Sequence, residues 1–181
     1  FEKKFSKFIG NKYSVAICNG TVALEVAIKS LDLPKNSEIM VTARSFFSSA
    51  SSIINTGNFP RFLDVDLKTQ NITLDEIKKK ISKKTRALIC VHLAGLPCPM
   101  KDIIKLCKKH DIKVIEDCSQ AHGASINAKQ VGSFGDVATW SFCTDKIIST
   151  LGEGGMLSTN NKKIYDYSSK YINHGTTHEK K

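Results

Sequence analysis

Short apolar runs alternate along this chain with segments whose apolar residues recur at helical spacing, and this alternation constrains the fold more than any other feature. The run 15–18 is typical of a buried strand, and the stretch 24–31 that follows it carries its apolar residues on one helical face. The further predicted strands are 38–41, 61–64, 87–91, 112–115, 137–142 and 156–158. The other predicted helices are an initial one striped by Phe1, Phe5 and Phe8, then 45–55, 74–81 and 103–107. Because strands separated by helices of this length are joined by right-handed crossovers, the sequence predicts an α/β domain with a mainly parallel sheet.

The loops that follow the predicted strands are the places where a ligand is expected. Open parallel sheets bind ligands beyond the carboxyl ends of their strands. The segments directly after Cys18, Val41, Ile115 and Phe142 are therefore expected to converge on one site.

The chain is basic, with 27 Lys and Arg against 17 Asp and Glu among 181 residues and a net charge of +10. Lysines concentrate in 78–84 and 101–109, runs that are typical of the solvated faces of helices. Attraction of an anionic partner is the alternative. Aromatic residues are not interleaved with these clusters and no nucleic-acid motif is present, so a small phosphorylated ligand is favoured over nucleic acid.

The length of the apolar runs and the placement of the cysteines indicate the cellular compartment and whether a metal site is expected. No apolar run approaches the roughly 20 residues that span a bilayer, and the first residues lack the pattern of a signal peptide, so we expect a cytoplasmic protein without a membrane partner. The six cysteines include no CxxC pair and mostly lie in apolar runs, which predicts reduced, buried thiols. The spacings of Cys118 from His122 and of His92 from Cys98 match no standard ligand pattern, and no metal site is predicted.

Asn19-Gly20-Thr21 joins a predicted strand to a predicted helix. A glycine in such a turn lets an anion approach the backbone, and the helix that follows offers free amides at its positive end. An ordinary capped turn is the alternative, and the three residues alone do not separate the two.

Two adjacent carboxylates, Glu116 and Asp117, close the apolar strand 112–115. Neighbouring side chains on a strand point to opposite faces, so one of the two is expected to look into the site. A carboxylate beside a pyridine nitrogen would keep that nitrogen protonated. A structural ion pair or a helix cap remains equally open.

Lys146 follows an apolar strand and precedes the glycine-dense segment 152–155. Most lysines are solvated, but one that is shielded from water can lose its proton and attack an aldehyde.

Ser45-Phe46-Phe47 is predicted to begin the helix after the second strand. Its rings fit either core packing or stacking on a flat heterocycle.

Five segments together resemble the DegT/DnrJ/EryC1/StrS family of sugar aminotransferases, which have the aspartate aminotransferase fold (fold type I). They are NGTVAL at 19–24, VHLAG at 91–95, EDCSQAHGA at 116–124, SFCTDK at 141–146 and GEGG at 152–155. The resemblance implies a three-layer α/β/α fold with a mainly parallel mixed sheet. It also implies that 1–181 is the large domain that binds pyridoxal 5'-phosphate (PLP), without the C-terminal small domain.

The resemblance also implies roles for individual residues. Lys146 would hold PLP as a Schiff base and then move protons during the reaction. Asp117 would pair with the pyridine nitrogen and Gln120 would lie against the phenolic oxygen. The phosphate would be bound by Gly20, Thr21 and Ser141, and Phe46 would stack on the ring.

The implied reaction moves an amino group from L-glutamate to a nucleotide-linked keto sugar, for surface glycan or secondary-metabolite synthesis, in a homodimer. Related dehydratases carry histidine at the lysine position, so Lys146 favours transamination over dehydration. Asp145, after Thr144, departs from the more frequent Pro-Thr before that lysine. Another fold type I PLP enzyme, such as a lyase or dehydratase, and a non-catalytic basic binding module are the alternatives.

Overall fold

The computed structural model of the chain describes residues 1–176. Its helices are α1 (Glu2–Ile9), α2 (Gly20–Ser30), α3 (Ser48–Asn55), α4 (Leu74–Lys80), α5 (Met100–Lys109) and α6 (Lys162–Ile172). Its strands are β1 (Tyr13–Ile17), β2 (Glu38–Thr42), β3 (Phe59–Leu63), β4 (Thr85–Val91), β5 (Lys113–Asp117), β6 (Ser125–Ile126), β7 (Lys129–Gln130), β8 (Val137–Ser141) and β9 (Gly155–Thr159). The last five residues of the predicted domain, 177–181, lie outside the described residues.

Seven strands form one mixed sheet in the order β1-β9-β8-β5-β4-β2-β3, and β6 pairs with β7 in a separate hairpin. The pairs β3–β2, β2–β4, β4–β5 and β5–β8 are parallel. Strand β9 runs antiparallel to both β8 and β1, so β1 points the same way as β8. The prediction of a mainly parallel mixed sheet is confirmed, and the carboxyl ends of six strands meet at one edge.

Helices cover both faces of the sheet, as the alternation of buried side chains along β4 shows. Ala87 and Ile89 pack in a cluster with residues of α2, α3 and α6. Leu88 and Cys90 pack in a second cluster with residues of α4 and α5. Helix α1 lies on that second face, where the buried Phe5 meets Trp140 edge-on with ring centroids 5.2 Å apart. The three-layer α/β/α arrangement is confirmed.

One predicted helix begins later than expected. The segment Ser45-Phe46-Phe47 is not its first turn, because α3 starts at Ser48 and the carbonyl of Phe47 accepts a backbone bond from Ser51 at 3.0 Å. Nor do the two rings pack in the core, since Phe46 is 61% exposed and Phe47 is 69% exposed. No glycine or proline marks the boundary, so periodicity alone extends the helix too far.

The cysteines are free thiols, and four of them, Cys90, Cys98, Cys107 and Cys118, are buried as predicted. Burial raises the pKa of Cys98 and that of Cys107 to about 12, so both stay protonated at neutral pH. In the described part of the chain, no helix has the length and apolar character needed to cross a membrane.

Candidate functional site

A cavity of about 580 Å³ opens at the sheet edge where the parallel strands end. It is lined by residues from the loops after β1, β2, β5 and β8, so the predicted convergence of these four segments is confirmed. The lining includes all seven residues that the family resemblance singles out: Gly20, Thr21, Phe46, Asp117, Gln120, Ser141 and Lys146.

The turn 19–21 leads directly into α2 and presents the amino end of that helix to the cavity. The Asn19 side chain accepts from the amide of Val22 at 2.8 Å, and its carbonyl accepts from the amide of Ala23 at 3.0 Å. The amides of Gly20 and Thr21 precede these and have no partner within the helix. The turn is therefore capped and still offers two donors to an anion.

Two glycines let this turn lie against the adjacent strands. A Cβ on Gly20 would come within 2.9 Å of the Ser141 Cβ. A Cβ on Gly155 would come within 2.5 Å of the Asn19 backbone. This close packing places the Ser141 hydroxyl beside the start of α2. Hydroxyl, free amides and the positive helix end together fit a phosphate group.

Asp117 ends β5 and is 5% exposed. Its Oδ1 accepts from the amide of Ser119 at 3.1 Å and from the hydroxyl of the same residue at 2.7 Å. Its Oδ2 accepts from the hydroxyl of Ser49 at 3.2 Å. Among residues 1–176, no basic side chain forms an ion pair with this carboxylate, and it lines the cavity, so it can pair with a positive group bound there.

Glu116 points to the opposite face of the sheet and is fully buried there. Its two carboxylate oxygens accept from the amides of Gly132, Phe134 and Gly135 at 2.7–2.9 Å, and Oε2 lies 3.1 Å from His92 Nε2. The expectation that one of the two carboxylates looks into the site is confirmed for Asp117. Glu116 instead ties the loop 132–135 to the sheet.

Lys146 lies in the connection between β8 and β9, with its side chain 21% exposed. Its Nζ donates to Asp145 Oδ2 at 2.8 Å, and this bond is the main reason that the pKa of Asp145 is lowered. The amine is therefore placed in the cavity and held by the neighbouring carboxylate. This is the carboxylate that departs from the family pattern.

Gln120 and Phe46 complete the set. The Gln120 Oε1 accepts from the amide of Ala94 at 2.7 Å, which leaves the amide nitrogen to donate to a group in the cavity. The exposed ring of Phe46 lies 4.5 Å from that of Phe47, centroid to centroid, at the cavity wall. An exposed aromatic face of this kind can cover a flat heterocycle.

Sequence reasoning missed Ser45 and Ser119, which line the cavity, and Ser49, which is buried and bonds Asp117. Serines are common, and only the i,i+4 spacing of Ser45 and Ser49 hinted that the two hydroxyls could meet. Cys143 and Glu153 were also missed, and the Cys143 thiol donates to Glu153 Oε1 at 3.1 Å.

One group of three possible metal ligands occurs among residues 1–176: His92, Glu116 and Cys118, whose ligand atoms lie within 4.8 Å of one another. Burial raises the pKa of Cys118 well above its usual range, which keeps the thiol protonated. His92 Nδ1 accepts from the amide of Cys98 at 3.1 Å, and the carboxylate oxygens accept backbone amides. Because these atoms already have hydrogen-bond partners or carry a proton, the three residues form a structural network and are not free to bind a metal.

His122 is 9% exposed and packs between the rings of Trp140 and Phe142. Neither of its ring nitrogens has a hydrogen-bond partner among the described residues. Burial lowers its pKa from the ordinary value of 6.5. The neutral imidazole is therefore the form that the fold accommodates.

This burial predicts a loss of stability in mild acid. In the unfolded chain His122 takes up a proton at its ordinary pKa, whereas the folded chain resists protonation. The contribution of the neutral, buried imidazole to the free energy of unfolding is complete above pH 6.5. It is lost as the pH falls through the lowered pKa of the folded state. We expect His122→Phe to flatten the dependence of unfolding free energy on pH between neutrality and mild acid, measured by urea denaturation. An unchanged slope in this variant would contradict the assignment, and His110→Phe, on the α5 terminus, is the control.

The model of the DegT/DnrJ/EryC1/StrS aminotransferase family matches residues 1–181. A GDP-perosamine synthase from Escherichia coli O157:H7 is 42% identical over 166 residues, which cover 92% of this chain and 45% of the relative. The solved structure of an aminotransferase from Psychrobacter cryohalolentis is 46% identical with a TM-score of 0.96, covering 98% of this chain and 45% of that one.

A GDP-4-keto-6-deoxymannose-3-dehydratase with a trapped PLP-glutamate geminal diamine is also similar, with 32% identity and a TM-score of 0.91. The alignment covers 96% of this chain and 46% of that one. The chain thus spans less than half the length of each of these three proteins.

Proposed function

Because this chain belongs to the DegT/DnrJ/EryC1/StrS aminotransferase family, we propose that the protein is a PLP-dependent aminotransferase that acts on a nucleotide-linked keto sugar. The single observation that carries the proposal is the presence of the Lys146 amine and the Asp117 carboxylate in one cavity beside the turn 19–21. These are the groups that an aldehyde, a pyridine nitrogen and a phosphate on one cofactor require.

The residues fit PLP as follows. The Lys146 amine would bond to the aldehyde carbon, and Asp117 would pair with the ring nitrogen. Gly20, Thr21 and Ser141 would bind the phosphate. Gln120 would donate to the phenolic oxygen, and the ring of Phe46 would cover one face of the heterocycle.

When bound, the cofactor withdraws electrons from the substrate carbon that carries the amino group and so acidifies its proton. The amine of Lys146 would then carry that proton between the substrate carbon and the cofactor carbon. Asp117 would keep the ring nitrogen protonated throughout. Phe46 and Phe47 would exclude water from one side of the cavity.

The relatives support the choice of substrates and setting. L-glutamate is proposed as the amino donor and a nucleotide-linked keto sugar as the acceptor, since the similar proteins include a GDP-perosamine synthase and a dehydratase trapped with PLP and glutamate. A homodimer in the cytoplasm is proposed as the working form, without nucleic-acid or membrane partners. Residues 1–181 are proposed to be the large PLP-binding domain, with the small domain supplied by sequence outside them.

The half-reaction with L-glutamate tests this function. We expect the full-length protein, loaded with PLP, to release one equivalent of 2-oxoglutarate per site when glutamate is added without an acceptor, with loss of the visible cofactor band. D-glutamate is the control and should give no product. Bound PLP without 2-oxoglutarate release would contradict transamination and favour a lyase, and absence of PLP binding would overturn the proposal.

A further inference from the structure

The carboxylate of Asp117 is held by hydroxyl groups from two different elements. Ser119, two residues further along the chain, bonds Oδ1 through both its amide and its hydroxyl. Ser49, from helix α3, bonds Oδ2 at 3.2 Å across 68 residues of sequence. Ser49 is 1% exposed, so its hydroxyl has no access to bulk water.

A second hydroxyl stands behind Ser49. The oxygens of Ser45 and Ser49 lie 2.8 Å apart, and either could donate by geometry alone. An ionised carboxylate only accepts, so Ser49 must give its single proton to Asp117. Ser45 must then donate to Ser49. The chain of donation runs in one direction, from the cavity wall at Ser45 through Ser49 to Oδ2.

The two carboxylate oxygens differ in how many bonds they already accept. Oδ1 accepts two hydrogen bonds and Oδ2 accepts one, so Oδ2 keeps an acceptor position for a ligand in the cavity. Without Ser49, only Ser119 would restrain the side chain, and both of its bonds go to the same oxygen. The carboxylate could then turn about that oxygen and move Oδ2 away from the ligand.

We propose that Ser49, oriented by Ser45, is a positioning residue that aims Oδ2 of Asp117 at the pyridine nitrogen of the cofactor. This rests on the function proposed above, because it takes PLP as the ligand. Ser49 touches the carboxylate rather than the cofactor, so its effect is confined to the recognition of the ring nitrogen. It does not extend to the phosphate or the aldehyde.

The test compares two ligands that differ only at that nitrogen. PLP and its 1-deaza analogue, in which CH replaces the ring nitrogen, share the phosphate, the aldehyde and the phenolic oxygen. The dissociation constants of both are measured with the full-length protein by fluorescence titration. The preference of the parent protein for PLP reports the bond between Asp117 and the nitrogen.

We expect Ser49→Ala to lower this preference about three- to tenfold, because one charge-assisted hydrogen bond to the carboxylate is lost. The change should come mainly from weaker binding of PLP. Ser49→Thr, which keeps the hydroxyl, should restore the preference. In an Asp117→Asn background, Ser49→Ala should leave the preference unchanged. Ser52→Ala is the matched control, since Ser52 is buried in the same helix and its hydroxyl bonds the Ser49 carbonyl rather than Asp117.

The outcomes separate this proposal from the one on which it depends. A parent protein that binds neither ligand would overturn the proposed function itself. A parent that prefers PLP, together with a Ser49→Ala variant that keeps the full preference, would overturn only the role of Ser49. Equal weakening of both ligands in Ser49→Ala would show a structural effect of the helix and would also count against the role of Ser49.

Discussion

Replacing Lys146 with alanine should remove the visible absorption band that PLP acquires on bonding to a protein amine, while the far-ultraviolet circular dichroism stays that of the parent. The reason is that the side chain lies in the cavity in a surface-accessible loop, where its partner is Asp145 rather than any core residue. Aminotransfer should fall by at least about a thousandfold, as expected when a covalent catalyst is deleted. The measurement is the absorption spectrum after gel filtration, followed by an assay of 2-oxoglutarate release.

The matched control is Lys78→Ala. Lys78 is likewise paired with a nearby carboxylate, that of Asp75 at 3.3 Å, but it lies on α4 away from the cavity. Its removal should leave both the band and the activity unchanged. Persistence of the band in Lys146→Ala would disprove the central role of this amine.

The second large effect concerns the neighbours Glu116 and Asp117, for which we expect opposite outcomes. Glu116→Ala should destabilise the fold by on the order of 3–5 kcal/mol. The reason is that three backbone amides of the loop 132–135 and the buried ring of His92 would lose the carboxylate to which they bond. Asp117→Asn should change the stability by less than about 1 kcal/mol, because its hydroxyl partners can reorient. Urea denaturation of the ligand-free variants gives both free energies.

The functional readout should show the reverse order. Asp117→Asn should bind PLP more weakly and lose most of the transfer activity, since an amide does not keep the ring nitrogen protonated. At a temperature where it is folded, Glu116→Ala should retain more activity than Asp117→Asn. Stability losses of equal size in the two variants would contradict the division of labour between the two faces of β5.

The sequence predicted the parts of this fold that depend on periodicity. Strands β2, β4 and β9 and helices α2, α4 and α5 lie where their apolar patterns indicated, with ends that differ by a few residues. The predicted start of α3 was wrong. Phe46 and Phe47 project from a loop towards the cavity, and local spacing carries no information about that cavity.

The site residues were proposed on a different basis. The seven residues came from a resemblance, and the rule that loops meet at the carboxyl edge of a sheet independently brings their segments together. What neither approach could supply is the set of side chains that act on the named residues. The bond between Ser49 and Asp117 joins positions 68 residues apart, and its existence depends on how α3 docks on the sheet rather than on any local pattern.

The reversed direction of β9 sets the connection that carries Lys146 apart from the loops after β1, β2 and β5. Those loops lead to a helix or a crossover, whereas Lys146 lies between two strands that are neighbours in the sheet. The two ends of this connection are joined by the bond from the Phe142 amide to the Gly154 carbonyl, at 2.8 Å. The Lys146 amine thus lies on a loop whose two ends are both held by neighbouring strands of the same sheet.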